Sequence, residues 1–254
     1  MKKDNLILIP GFSSNRYVLK GLLEVMSQYL NVHFIELPGF VSDVSPLSEI
    51  TLSNFAVYVQ KEIEKLDLDE YLIGGISLGF TILSDLELDQ RCKGVLALEP
   101  HFNKRSLNLN WFQKNLYLAT FRTICFFKLY NLLWKTRLFK TLFAKFTGLP
   151  DDIIKIILDQ NDPRTFFATA KMGFQIKKMP QFFDLPYVLI MNKEDEMVDY
   201  SYVSRQLKDN VRDFLFIEVQ EKHFPPDLSK EYIEKKFPKE KIQKILEFFN
   251  NDSR

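Results

Sequence analysis

The 254-residue chain suits one compact α/β domain, or one such domain carrying an insertion. With 46% apolar and 26% charged residues it has the balance of an ordinary soluble globular protein, which excludes a fibrous repeat and a disordered chain. A net charge of +1 gives no reason to expect nucleic acid as a partner.

The first apolar run, Leu6 to Ile9, is too short for a signal-peptide core, and no small-residue cleavage site follows it. It reads as a strand buried on both faces. Pro10-Gly11-Phe12-Ser13-Ser14-Asn15 is a loop. Residues 16–30 then carry Val18, Leu19, Leu22, Leu23, Met26 and Leu30 at helical spacing. A second strand, Val32 to Leu37, stops at Pro38-Gly39. Residues 52–66 again show one apolar helix face. A third strand, Tyr71 to Gly74, enters Gly75-Ile76-Ser77-Leu78-Gly79 and a helix pattern. The fourth, Val95 to Leu98, ends at Glu99-Pro100-His101. The fifth, Tyr187 to Met191, ends at Asn192-Lys193-Glu194-Asp195. The sixth, Phe214 to Val219, leads to His223, and an amphipathic helix with Ile242, Ile245, Leu246 and Phe249 follows.

This alternation predicts an α/β fold: a mostly parallel sheet of about six strands with helices on both faces. Sites in such sheets lie beyond the carboxyl ends of the strands, where each polar cluster falls. Residues 103–182 interrupt the rhythm with helix-like spacing and no good strand signal. They read as a helical cap inserted into a core of residues 1–102 and 183–254. Gly148-Leu149-Pro150 divides the cap, with Asp151 or Asp152 able to cap a new helix. No stretch of about 18 or more uncharged apolar residues exists to span a membrane. Cys92 and Cys125 form no C-x-x-C pair and read as free thiols of a reduced compartment, so the expected location is cytoplasmic.

Gly75-Ile76-Ser77-Leu78-Gly79 carries the strongest chemical signal. A serine on a sharp strand-to-helix turn lifts its hydroxyl clear of the sheet, beside the positive end of the helix. The two glycines relieve crowding around it. A neutral serine needs a base, and the base an orienting acid. Of three histidines, His33 lies inside the second strand pattern and reads as packed. His101 follows the fourth strand. His223, in the loop after the last strand, is the expected base, with His101 the alternative. Asp195 is the expected acid because it gives the chain order Ser, Asp, His; Glu99 is the alternative. Asp199, one helical turn later, reads as a helix cap. Backbone N–H groups of Leu78 and Phe12 are the expected oxyanion donors, with Gly11 keeping the approach open. Neither a metal-ligand cluster nor a dinucleotide fingerprint occurs, so no cofactor and no metal are expected.

In these residues the chain resembles the α/β-hydrolase superfamily, in particular cap-bearing esterases and lipases. Glu36-Leu37-Pro38-Gly39-Phe40 is similar to the family's acidic-x-Pro-Gly turn. The family's first two strands have no counterpart. Pro10, Phe80 and Asn192 stand where the family often has a histidine, a glycine and a glycine. The resemblance implies a serine hydrolase of carboxylic esters working through an acyl-enzyme. The same triad would also serve acyl transfer or C–C bond hydrolysis, and a non-catalytic binding protein of the same fold is a further alternative.

Residues 103–148 hold nine Lys or Arg and no Asp or Glu, which leaves the rest of the chain with 25 basic and 33 acidic residues. They also hold eleven aromatics, including Trp111 and Trp134. One reading packs the aromatics on the core and solvates the lysines. A second lines an acyl pocket with them, Trp111, Trp134 and His101 touching substrate, and sets the basic face on an anionic membrane surface. A third docks an acidic acyl carrier protein, delivering a carrier-bound ester. The small-molecule partner expected is a lipid-like ester.

Overall fold

The computed structural model describes residues 3–220 and 222–251. Its strands are β1 (Asn5–Ile9), β2 (Asn31–Phe34), β3 (Tyr71–Ile76), β4 (Cys92–Leu98), β5 (Tyr187–Met191) and β6 (Phe214–Glu218). They form one sheet in the order β2-β1-β3-β4-β5-β6, and every pairing is parallel. The chain moves outward from β1 to β2, then crosses back to β3 on the other side of β1. The order therefore reverses between β1 and β3, the place where such sheets open a crevice at their carboxyl ends.

Alternation along each strand explains why these runs are apolar throughout. Ile7, Ile9, Ile73, Val95, Ala97 and Leu189 point to one face. Their neighbours Leu6, Leu8, Leu72, Leu96, Val188 and Ile190 point to the other. Both faces are covered, so both phases of the period-two pattern must be apolar.

The helices in chain order are α1 (Lys20–Met26), α2 (Leu52–Lys65), α3 (Leu78–Leu83), α4 (Trp111–Phe126), α5 (Tyr130–Leu133), α6 (Arg137–Thr147), α7 (Asp151–Gln160), α8 (Pro163–Gly173), α9 (Tyr200–Asn210), α10 (Lys230–Lys236) and α11 (Lys239–Asn251). Phe55, Val59 and Ile63 of α2, Phe80 of α3, and Val203 and Leu207 of α9 cover the first sheet face. Leu23 and Met26 of α1 and Ile245 and Phe249 of α11 cover the second. Among the described residues, no helix is long and apolar enough to cross a membrane. Both cysteines are free thiols.

Local chemistry sets the helix starts. Thr51 accepts the Asn54 N–H at 3.2 Å ahead of α2, and Asp199 caps α9 by accepting from Tyr202 N–H at 3.0 Å. The expected cap on α7 differs. Pro150 occupies the cap position, and Asp151 and Asp152 lie in the first turn instead, where a carboxylate favours the helix dipole without a capping bond. The second strand is shorter than the apolar run predicts. Ile35 N–H still reaches Leu8 O at 3.0 Å, but β1 ends at Ile9 and offers β2 no further partner.

Between β4 and β5 the chain forms α4 to α8 and no strand, apart from a single antiparallel bridge between Leu107 and Val198. The inner side of this segment shares one apolar cluster with Val18 and Leu19, which precede α1. Trp134, Phe143, Ile154, Ile157, Phe166 and Phe167 belong to it. Asp162 N–H donates to Gly39 O at 2.8 Å, joining the start of α8 to the turn after β2.

Phe55 is wholly buried and stacks on Phe40 with ring centroids 6.2 Å apart. Phe55→Ala is expected to lower stability by about 3–5 kcal/mol in urea unfolding. Val57→Ala, on the exposed side of the same helix, is expected to change it by less than about 0.5 kcal/mol.

Candidate active site

The site begins at the turn from β3 into α3. Ser77 takes φ +47° and ψ −113°, a conformation that side chains rarely adopt and that costs about 1–3 kcal/mol. Neighbours from β4, α3 and the loop after β4 hold it there. Ser77 N–H donates to Leu98 O at 2.8 Å, and Ser77 O accepts from Phe80 N–H and His101 N–H, both at 3.1 Å. The flanking glycines are required by space. A Cβ on Gly75 would lie 2.5 Å from Phe80 Cα, and one on Gly79 would lie 2.3 Å from Ile9 O. The sharp turn thus packs directly against the end of β1.

The loop after β1 crosses above this turn. A Cβ on Gly11 would meet Ile76 O at 3.1 Å and Ser77 Cβ at 3.4 Å, so Phe12 follows within reach of the serine. Leu78 opens α3, and first-turn amides have no acceptor inside a helix.

Asp195 and His223 arrive from the ends of β5 and β6. His223 Nε2 lies 3.2 Å from Ser77 Oγ, and His223 Nδ1 lies 2.9 Å from Asp195 Oδ2. The other Asp195 oxygen accepts the N–H groups of Met197 and Val198, each at 2.7 Å. Those two amides hold the carboxylate, fully shielded from solvent, at one orientation.

Glu99 adds a second carboxylate. It follows β4 with φ +42°, its N–H donates to Ile190 O at 2.8 Å, and its Oε2 lies 3.5 Å from His223 Nδ1. Among the described residues, Glu99, Asp195 and His223 form the group whose ligand atoms, within 4.8 Å of one another, are close enough to share a metal ion. Both imidazole nitrogens already have partners in Asp195 and Ser77.

Burial pushes the His223 pKa down. The hydrogen bond with Asp195 and the charges of Glu99, Asp195 and Glu196 outweigh it, and the group ends above the ordinary imidazole value. His101 shows the opposite balance. Burial, then the charges of His223 and Lys114, push it down to about 4, so it is neutral at pH 7.

A cavity of about 160 Å³ opens beside Ser77, Glu99 and His223. Phe12, Val18, Leu149, Ile157, Phe224 and Leu228 are among its apolar lining, with Gly11 at its edge. Three residues expected to touch substrate do not line it. His101 is buried with Thr81, whose hydroxyl donates to its carbonyl and lies 3.3 Å from its Nδ1. Trp111 is 79% exposed at the start of α4. Trp134 is buried behind the cavity, its indole N–H donating to Leu158 O at 2.9 Å while its ring packs on Phe139, Phe166 and Phe167. His33 sits at the sheet edge near Asn5 and Asn31, far from the serine's neighbours. The sequence reading missed the lining from α7 and from the 224–228 loop. Their apolar spacing marks a buried face without saying which void it borders.

No family model matches the chain, and no curated protein matches it in sequence. Solved structures do. A candidate lipase from Acinetobacter baumannii shares 19% identity at a TM-score of 0.70, over 98% of this chain and 85% of that one. A hydrolase from Oleispira antarctica shares 13% at 0.72, over 99% and 92%. An epoxide hydrolase from Bacillus megaterium shares 11% at 0.69, over 98% and 94%. At such identities the likeness is one of fold, and the chain has the α/β-hydrolase fold.

The electrostatics can be checked without substrate. In an NMR titration of the imidazoles, His101 is expected to titrate near 4 and His223 above the ordinary imidazole value. Glu99→Gln removes a negative charge that favours the imidazolium, so the His223 midpoint is expected to move to lower pH.

Proposed function

We propose that the protein is a serine hydrolase that cleaves carboxylic esters with a lipophilic acyl or alcohol group. The observation that carries this reading is the unbroken chain Ser77 Oγ, His223, Asp195, at 3.2 and 2.9 Å, beside an apolar cavity. The fold shared with a candidate lipase and with named hydrolases supports hydrolysis as the class of chemistry.

In this mechanism Ser77 Oγ attacks the ester carbonyl while His223 Nε2 takes its proton. Asp195 keeps Nδ1 protonated and stabilises the imidazolium that forms. The amides of Phe12 and Leu78 donate to the oxyanion of the tetrahedral intermediate. His223 then returns the proton to the departing alcohol, leaving Ser77 acylated. A water deprotonated by His223 attacks the acyl-enzyme, and the acid leaves as Ser77 recovers its proton. The raised pKa of His223 makes it a stronger base, and it must be neutral to act, so the acid limb of the rate profile follows its titration. Glu99 lies close enough to Nδ1 to share the stabilisation of the imidazolium. Residues 103–182 act as the cap, because Leu149 and Ile157 of this segment wall the cavity.

A fluorophosphonate probe is expected to label the native protein and not Ser77→Ala; undiminished labelling of the variant would remove Ser77 as nucleophile. His223→Ala is expected to reduce kcat on p-nitrophenyl butyrate by at least about 1,000-fold.

The cavity volume sets a length preference. Apolar walls from Leu149, Ile157 and Phe224 bound the room for an acyl chain. Turnover of p-nitrophenyl esters is expected to peak at short to medium acyl chains and to fall steeply at palmitate, measured as kcat/KM across the series.

A further inference from the structure

Two of the helices between β4 and β5, α4 and α6, have apolar residues that the fold covers and others that it leaves in solvent. On α6, Phe139 and Phe143 face inward and stack on each other with Phe143 buried, while Leu138, Leu142 and Phe146, one position before or three after, face solvent. On α4, Ile124 is buried, and Phe112, Leu116, Phe126 and Phe127 are each more than half exposed. The Tyr117 and Phe146 rings meet at 5.6 Å, which makes α4 and α6 neighbours in space. Solvent-facing apolar residues scattered singly need no explanation, but a patch running across two helices marks an interaction surface.

Charge decides what kind of surface. Residues 103–148 carry nine Lys or Arg and no Asp or Glu. Lys145 of α6 and Arg122 of α4 are exposed alongside the apolar stripe. A second copy of this chain would bring two positive faces together, which opposes self-association through it. The stripe on α4 ends in Phe126-Phe127, where Lys128 turns the chain with φ +54°. Bulky apolar side chains in the middle of a basic face match a surface whose headgroups are anionic and whose interior is hydrocarbon. Because no helix among the described residues is long and apolar enough to cross, such a surface would be met from one side.

We propose that the outer sides of α4 and α6 seat the protein on an anionic phospholipid bilayer, Phe126, Phe127, Leu138 and Leu142 entering the interface and the flanking Lys and Arg meeting the headgroups. The inner sides of the same helices pack in one cluster with Phe12, Ile76 and Phe224, residues that also line the cavity at Ser77. The seat thus connects to the cavity through that shared cluster, while Leu149 and Ile157 supply this segment's part of the cavity wall.

The experiment is co-sedimentation of Ser77→Ala protein with vesicles of equal parts phosphatidylglycerol and phosphatidylcholine, and with phosphatidylcholine alone. Use of that variant separates lipid binding from hydrolysis, so the outcome does not depend on the esterase reading. Binding is expected to the anionic vesicles, weakening as sodium chloride is raised. Phe126→Ser with Phe127→Ser is expected to weaken it by at least about tenfold. Lys145→Glu and Arg122→Glu are each expected to weaken it by at least about fivefold. All these side chains are exposed, and unchanged urea unfolding verifies that the variants fold. The proposal is overturned by absence of binding, by equal binding to both vesicle types, or by variants that bind as the parent does. It is overturned as well by a dimer in size-exclusion chromatography that Phe126→Ser with Phe127→Ser dissociates.

Discussion

The closeness of β1, β3 and α3 around Ser77 is the constraint on which the rest of the site depends. The serine adopts its left-handed conformation because no Cβ stands at Gly75 or Gly79, and because Leu98, Phe80 and His101 occupy its backbone hydrogen bonds. Those partners come from β4, α3 and the loop after β4, so local strain is balanced by tertiary contacts. The same crowding presses the loop at Gly11 over the serine. One packing arrangement therefore fixes the turn at Ser77 and lays the loop that carries Phe12 across it. It falls at the sheet's topological switch, where the loops after β1 and β3 part company and leave a crevice.

Around that fixed point the electrostatics are built from strand ends. Asp195 leaves β5, Glu99 leaves β4 and His223 leaves β6, so three adjacent parallel strands deliver an imidazole and two carboxylates to one place. Burial alone would disfavour the imidazolium. The bond to Asp195 and the charges of Glu99, Asp195 and Glu196 reverse the sign, while His101, driven down by burial and then by the charges of His223 and Lys114, goes the other way. Two histidines close in space are thus separated in pKa by their surroundings, the device by which a site keeps one imidazole basic and the other inert.

The helices between β4 and β5 tie this chemistry to the outside. Their inner aromatics form a continuous layer in which Trp134 and Phe166 back the cavity wall. Their outer residues leave a second apolar surface ringed by positive charge.

Much of this is written along the chain. Runs such as Leu6–Ile9 and Tyr187–Met191, apolar in both phases, require a sheet covered on both sides, and Gly75-Ile76-Ser77-Leu78-Gly79 requires a strand-to-helix turn with the hydroxyl exposed. Strand-end positions singled out Asp195, Glu99 and His223, because a parallel sheet collects its carboxyl ends at one edge. Chain order ranked Asp195 ahead of Glu99, but the sequence could not show that Glu99 also reaches toward Nδ1, nor assign the aromatics of 103–148. Both are questions of direction: whether Trp134 faces the cavity or lies behind it, whether Trp111 packs or stays in water, and whether the Glu99 carboxylate turns toward His223. Periodicity tells which residues of a helix share a side. Only the packing of α4 to α8 against the body decides which side is covered, so the turn at Ser77 and the fold follow from the sequence by itself, while the cavity lining, the burial of His101 and the exposed basic face were decided by tertiary structure.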